Sequence, residues 1–344
     1  MPTLYSADTI TLGGGGSAAV ERLNDVLHAA GLGRPLGPLS RGAGSRLAVQ
    51  VSGVDPGSVR RALRAAGAGD DVRLDPVYLN GTFRLAGAEV GRGFAWEGVA
   101  VAGPPEPPPW EPPPAGLRRP VIALFDSGVR DHPWLPVTLP GDPFVLHSDD
   151  PGLTRPWVSP LAESKEHDGE SGHATFLAGV IRAAAPGARV LSVRVMTDDG
   201  KVLESTVVDA LHWLEGYRAA GHPVDVLCLA FGRRCGDIGD PETLEEIGAP
   251  LRRLAEAGVA VVASAGNDHR DEPVYPAAFP GVTAVGAGFG EYHARFSNYG
   301  AWVERYRDGV DVVGIVPPDR WVRWTGTSFA AAAFAADLAR PHVV

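Results

Sequence analysis

Three residues of this sequence suit acyl-transfer chemistry: an aspartate closing an apolar run, a histidine opening a helical run and a serine leading an alanine-rich run. Asp126 ends VIALFD and precedes Ser-Gly, His173 begins HATFLAGVI, and Ser328 lies in GTSFAAAAFAADLA behind a glycine-containing turn. A serine hydroxyl is a poor nucleophile until a base takes its proton. Imidazole titrates near neutrality and suits that task. A carboxylate on the other ring nitrogen fixes the tautomer and stabilises the imidazolium. Backbone N–H groups at a helix start help to hold a developing oxyanion. Each residue also has an ordinary reading. Asp126 suits a turn or cap, His173 a cap or surface side chain, and Ser328 an N-cap. The separations, 173−126=47 and 328−173=155 residues, decide nothing, because such groups meet only in the fold.

The elements that must position these residues are legible from residue 119 onward. Short apolar strands alternate with helical stretches: VIALFD, a helix over 173–184, RVLSVRVM, a helix over 203–220, VDVLCLAF, a helix over 244–257, VAVVASAG and VTAVGA. Continuous apolar strands alternating with helices predict a mostly parallel α/β sheet covered on both faces. In such sheets functional groups gather beyond the carboxyl ends of the strands.

The first hundred residues predict a small α+β unit. A weakly alternating strand over 3–12 precedes a helix with Ser17 as its cap, Val20, Leu23, Val26, Leu27 and Ala30 on one face, and Gly31 as its stop. Leu47, Val49 and Val51 alternate as a strand. Asp55-Pro56 opens a second helix with Val59, Ala62, Leu63 and Ala66 as its apolar stripe, and Val72 and Leu74 begin another strand. That order suggests a split β-α-β unit of ferredoxin-like type. Residues 104–114, PPEPPPWEPPP, predict an extended spacer, since proline at this density can join neither a helix nor a central strand. The expected organisation is therefore 1–102, a linker at 103–118, and 119–344.

Composition narrows the functional classes. A net charge of −10 disfavours phosphate backbones and anionic membranes, so neither nucleic acid nor membrane is an expected partner. A hydrophobic fraction of 44% supports a real core. The start MPTLYSADTITLGGGGS lacks a basic segment followed by an apolar core, which predicts a cytoplasmic protein. Cys228, in an apolar run, and Cys235, in a loop-like stretch, form no disulfide framework and too small a set for zinc.

FDSGV, GHATFLAGVI, ASAGND and GTSFA resemble the aspartate, histidine, oxyanion and serine motifs of the subtilisin-like serine peptidases, in the order Asp, His, Ser. VDVLCLAFG, YPAAFPGVTAVGA and FSNYGAWVERYRDGVDVVGIVPP resemble further family segments, so the likeness runs over about residues 119–338. The resemblance implies the subtilisin-like fold and an endopeptidase acting through an acyl-enzyme. It makes Asp126 the orienting carboxylate, His173 the base and then acid, and Ser328 the nucleophile. Asn267 becomes an oxyanion donor beside the Ser328 backbone N–H. Ala230, Phe231 and Gly232 would pair with an extended peptide substrate. Ala263, Ser264, Ala265 and Gly266 would line the pocket for the side chain before the cut bond, their small size implying room for a large apolar residue.

The resemblance further implies that the N-terminal unit is propeptide-like, an intramolecular inhibitor of a processing peptidase. No cofactor is implied, and a calcium site stays open without an identifiable ligand set. Four departures stand out. Ala174 and Phe176 replace a glycine and a second histidine, Ala230 replaces a serine, and Ala332 replaces a proline. The family's helices and strands beyond the serine helix find no counterpart before Val344, so the N-terminal unit or a partner is expected to cover that surface. Other classes compatible with the same residues are a peptide-binding module on a peptidase scaffold, and an esterase or transferase.

Overall fold

The protein is described from a computed structural model, over residues 5–13, 17–40, 46–68, 72–80, 99–102, 106, 108–109, 117–136, 144–147, 172–196, 201–234, 241–289 and 292–339. Most of the proline-rich spacer and Cys235 lie outside these residues.

The N-terminal unit runs β1 (Tyr5–Gly13), α1 (Ser17–Ala29), β2 (Leu36–Ser40), β3 (Arg46–Val51), α2 (Pro56–Ala65) and β4 (Val72–Asn80). Its strands pair antiparallel in the order β4-β1-β3-β2, as expected of the split β-α-β arrangement. Ile10, Leu27, Val49, Val59 and Leu63 form a fully buried core between sheet and helices. Asp55 caps α2: its carboxylate accepts the Ser58 N–H at 2.8 Å and the Ser58 hydroxyl at 2.9 Å, and these bonds hold its pKa below the usual carboxylate range. Next comes β5 (Val99–Val101), which belongs to a different sheet.

The larger unit follows as β6 (Val121–Asp126), β7 (Val145–His147), α3 (His173–Ala184), β8 (Arg189–Arg194), β9 (Lys201–Leu203) and α4 (Glu204–Ala219). It continues through β10 (Val226–Leu229), β11 (Phe231–Arg234), α5 (Pro241–Glu256), β12 (Ala260–Ser264), β13 (Val274–Tyr275), β14 (Val282–Phe289), β15 (Tyr292–His293) and β16 (Arg305–Arg307). A hairpin of β17 (Val312–Val316) and β18 (Arg320–Trp324) leads into α6 (Thr327–Leu338). The central sheet is ordered β15-β14-β12-β10-β6-β8-β7, with β16 also on β14, and only β15 joins antiparallel.

Side-chain alternation along the parallel strands divides the core in two. Ile122, Leu124, Val226, Cys228 and Val262 pack with α3 and α6, whereas Val121, Ala123, Phe125, Leu227, Val261 and Ala263 pack with α4 and α5. This assigns the chemistry to one face: Asp126, two residues beyond Leu124, projects toward the side on which α3 and α6 begin. Helix α6 is apolar on every side from Phe329 to Ala336, as a helix segment inside a core must be. Its Ala330, Ala331, Ala332, Ala335 and Ala336 are all fully buried. Ala332, at the position of the family's proline, lies within this unbroken helix.

Candidate active site

Asp126 closes β6 and His173 opens α3, and the fold brings them together. The His173 Nδ1–H lies 2.9 Å from both Asp126 carboxylate oxygens. Oδ1 also accepts the Ser127 N–H at 2.8 Å and the Ser127 hydroxyl at 3.2 Å. The carboxylate is fully buried, and these donors offset the loss of water. With a carboxylate bound at Nδ1, Nε2 is the ring nitrogen left to exchange a proton with a substrate or nucleophile.

Ser328 stands in the first turn of α6, fully buried, next to Phe329, whose ring centroid lies 5.9 Å from that of His173. Its hydroxyl donates to the Ala230 carbonyl at 3.2 Å. Trp324, at the end of β18, meets His173 edge-on at 5.9 Å and Phe176 at 5.5 Å, and Phe176 packs on Phe329 at 4.5 Å. The aromatic residue standing for the family's second histidine therefore belongs to the packing that fixes the catalytic-type imidazole.

Asn267 follows β12 after Ala265 and Gly266. Its Oδ1 accepts the Thr327 N–H at 2.9 Å, which fixes the orientation of the amide. The Nδ2 group is buried and makes no hydrogen bond among the described residues. A buried amide donor without a partner costs stability. Burial also raises the pKa of the Cys228 thiol, with the nearby Asp126 carboxylate adding to the shift, so this cysteine stays protonated.

The turn carrying Asn267 is braced by residues to which the sequence reading gave no bracing role. Asn298 donates its amide to the Ala265 carbonyl at 2.8 Å, and its Oδ1 accepts the N–H groups of Asp268 and Arg270 at 3.1 and 3.0 Å. The Gly266 N–H donates to Thr327 Oγ1 at 3.1 Å. Gly266 has φ +96°, and a Cβ there would lie 2.6 Å from the Asn298 amide, so only glycine suits the position. An asparagine held between aromatic residues, in FSNYG, was the available signal for Asn298, although it lacked any local periodicity.

Of the remaining sequence-predicted residues, Ala263 and Ser264 end β12, and Ala265 and Gly266 lead to Asn267. Ala230 joins β10 to β11. Phe231 and Gly232 pair antiparallel with Asn80 and Leu79 of the chain's own β4. The other edge of β4 carries β9, with Val77, Tyr78 and Leu79 opposite Leu203, Val202 and Lys201. The last residues of the N-terminal unit thus form a strand between two edges of the larger unit. No group of three or more His, Cys, Asp or Glu able to hold a metal occurs among the described residues. No described helix is long and apolar enough to cross a membrane.

Comparison with known proteins places this geometry in a family. Residues 118–340 match the model of the subtilase family. The chain is 33% identical over 217 residues to a thermophilic serine proteinase of Bacillus sp. (strain AK1), covering 61% of this chain and 49% of the relative. It is 29% identical over 232 residues to Subtilisin BL of Lederbergia lenta, covering 64% and 72%. It is 26% identical over 236 residues to an intracellular serine protease of Paenibacillus polymyxa, covering 63% and 65%. The chain thus spans about half the length of the first of these relatives. With the matched stretch holding the Asp126–His173 pair, the Asn267 turn and the serine-bearing helix in one site, the chain belongs to the subtilase family.

Proposed function

We propose that this chain is a serine endopeptidase that hydrolyses peptide bonds through Asp126, His173 and Ser328. The observation that carries the reading is the buried Asp126 carboxylate lying 2.9 Å from His173 Nδ1, with the next residue after Ser328, Phe329, placing its ring centroid 5.9 Å from that of His173. Ser328 Oγ attacks the scissile carbonyl carbon as its proton passes to His173 Nε2. The carbonyl oxygen becomes an oxyanion, which accepts from Asn267 Nδ2 and the Ser328 N–H. His173 then protonates the leaving amine, and the C–N bond breaks to leave an acyl-enzyme. Water enters, gives a proton to His173, attacks the ester and releases the acid, with the proton returned to Ser328. Asp126 holds the tautomer and stabilises the imidazolium throughout. This sequence needs no cofactor.

The N-terminal unit restrains the enzyme. An extended segment added to a sheet edge is a recurrent mode of peptide binding. Here β4 holds that place on β11, and Asp126, His173 and Ser328 are each fully buried. The reading extends to an intracellular processing peptidase acting on one precursor or partner. Its support is the likeness to the intracellular relative and the buried free thiol of Cys228, which suits a reducing compartment.

Peptide and ester substrates assayed side by side test the activity. Peptide hydrolysis is expected, falling at least about 10⁴-fold in His173→Ala. Peptide binding without hydrolysis would identify a binding module instead, and hydrolysis of esters alone an esterase. Efficient degradation of unrelated unfolded proteins would contradict the restricted role.

A further inference from the structure

Two strands that precede the larger unit in the chain meet its serine from opposite sides. Strand β4 runs toward the site. Its last residue, Asn80, stands opposite Phe231, and the carbonyl of the neighbouring Ala230 accepts the Ser328 hydroxyl. Strand β5 runs away from the site. It is the third strand of the β17-β18-β5 sheet and pairs antiparallel with β18, Val99 opposite Arg323, Ala100 opposite Val322 and Val101 opposite Trp321. Strand β18 leads into the serine helix, with only Thr325 and Gly326 between Trp324 and Thr327. The Trp324 ring meets the His173 imidazole at 5.9 Å. Val99 is therefore the end of β5 nearest the site and Val101 the end farthest from it.

We infer that β5 determines specificity on the leaving-group side: it holds the edge of β18 along which that half of a substrate would lie, and so favours substrates with a short stretch after the cut bond. The inference rests on the endopeptidase reading above. In that reading His173 protonates the leaving amine, so the leaving half starts at the imidazole, where β18 ends. The acyl half lies on β11, in the groove that β4 fills. A peptide crossing from β11 to β18 has the polarity that β4 and β5 show together, inward on one edge and outward on the other. Adding a strand to a free edge gains main-chain hydrogen bonds whatever the side chains. Strand β17 holds the other edge of β18, so a leaving segment that reaches Arg323 finds both edges taken. With one-for-one antiparallel pairing, Trp324 and Thr325 leave room for about two substrate residues before Val99 is met. The two inserted strands also differ in permanence. A cut before Val99 severs β4 from the larger unit but leaves β5 joined to β6.

The test is hydrolysis of two peptide series that share one sequence up to the cut. One carries a leaving segment of about two residues and the other of about six, lengths chosen on either side of Val99 by the same pairing rule. Wild type is expected to favour the short series by at least about tenfold in kcat/KM, because a long leaving segment must displace β5 and its ladder hydrogen bonds. The full-length chain is then compared with Ala100→Pro and Val101→Pro. Successive N–H groups of a strand point to opposite edges, so one of these prolines removes a hydrogen bond to β18. In at least one of the two variants the preference for short leaving segments should fall by at least about tenfold. Equal wild-type rates on the short and long series overturn the inference and leave the endopeptidase reading intact. The inference falls equally if both variants, reacting with a fluorophosphonate at the wild-type rate, keep the wild-type preference. No cleavage of either series would overturn both readings.

Discussion

Strands β10 and β4 deliver residues to the same groove under different rules. Strand β10 is buried on both faces, with Val226 and Cys228 toward α3 and α6 and Leu227 toward α4 and α5, and parallel neighbours on both edges. Its whole environment is one sheet. Strand β4 serves two. Its first half pairs with β1 inside the N-terminal unit, and its last residues pair with β9 and β11. Pro76 stands near that handover, where a missing N–H costs the ladder least. The contrast separates what is built into the catalytic face from what is laid upon it. The first should govern chemistry and the second access.

The sharpest division comes from Ser328→Ala. It should lower peptide hydrolysis about 10⁶-fold without altering either set of strand pairings. Mass spectrometry after prolonged incubation should find this variant whole and the wild-type chain clipped between about residues 80 and 120. A wild-type chain that stays whole yet cleaves peptides would break the link between β4 and self-processing.

Asn267→Ala should reduce kcat by about 10²–10³ with little change in KM, because the Nδ2 donor has no ground-state partner to lose. Steady-state kinetics on one peptide would show it. Asn298→Ala acts one step back, through the turn. It strands the N–H groups of Asp268 and Arg270, so thermal stability should fall by about 2–4 kcal/mol along with activity.

Leu79→Pro addresses the other side of the comparison. It removes an N–H from the β4 segment between β9 and β11. The residual activity of the unclipped chain should rise severalfold, while the oxyanion and triad groups are untouched. Unchanged activity would mean that β4 does not limit access.

The smallest effect is expected at Asp225, remote from the groove. Burial raises its carboxyl pKa, but the Arg118 guanidinium at 2.7 Å and the Val121 N–H at 2.8 Å outweigh burial and hold it below the ordinary value. A carboxyl depressed on folding stabilises above its unfolded pKa of about 3.9 and loses that contribution as pH falls through the folded value. Asp225→Asn should therefore cost about 1 kcal/mol at neutral pH, reduced by partial exposure of the pair, with the difference from wild type shrinking in acid. Thermal melts across pH would measure it.

What the sequence made legible follows the same divide. Strand β6 announced itself because both faces are apolar, and the period of two then put Asp126 on the side of Ile122 and Leu124. Helices α3 and α6 were readable from their apolar runs, together with the residues that open them. The helices of the N-terminal unit and its strands β1, β3 and β4 were likewise written in caps and stripes, whereas β2 (Leu36–Ser40) carries no alternation that marks it. The second half of β4 was not, since Val77–Asn80 is paired by edges more than a hundred residues away, and Pro76 argues locally against a strand. The braces were hidden for a related reason. Asn298, through three side-chain hydrogen bonds, and Thr327, through one, act on another loop, which leaves no periodic trace.

Labelling by a fluorophosphonate, read by peptide mapping, tests the central claim most directly, because the probe reacts with a serine only when a base activates it. The account predicts covalent modification at Ser328 alone, lost in His173→Ala and strongly slowed in Asp126→Asn. Labelling that persists at the wild-type rate in His173→Ala, or that falls on a different serine, would contradict it.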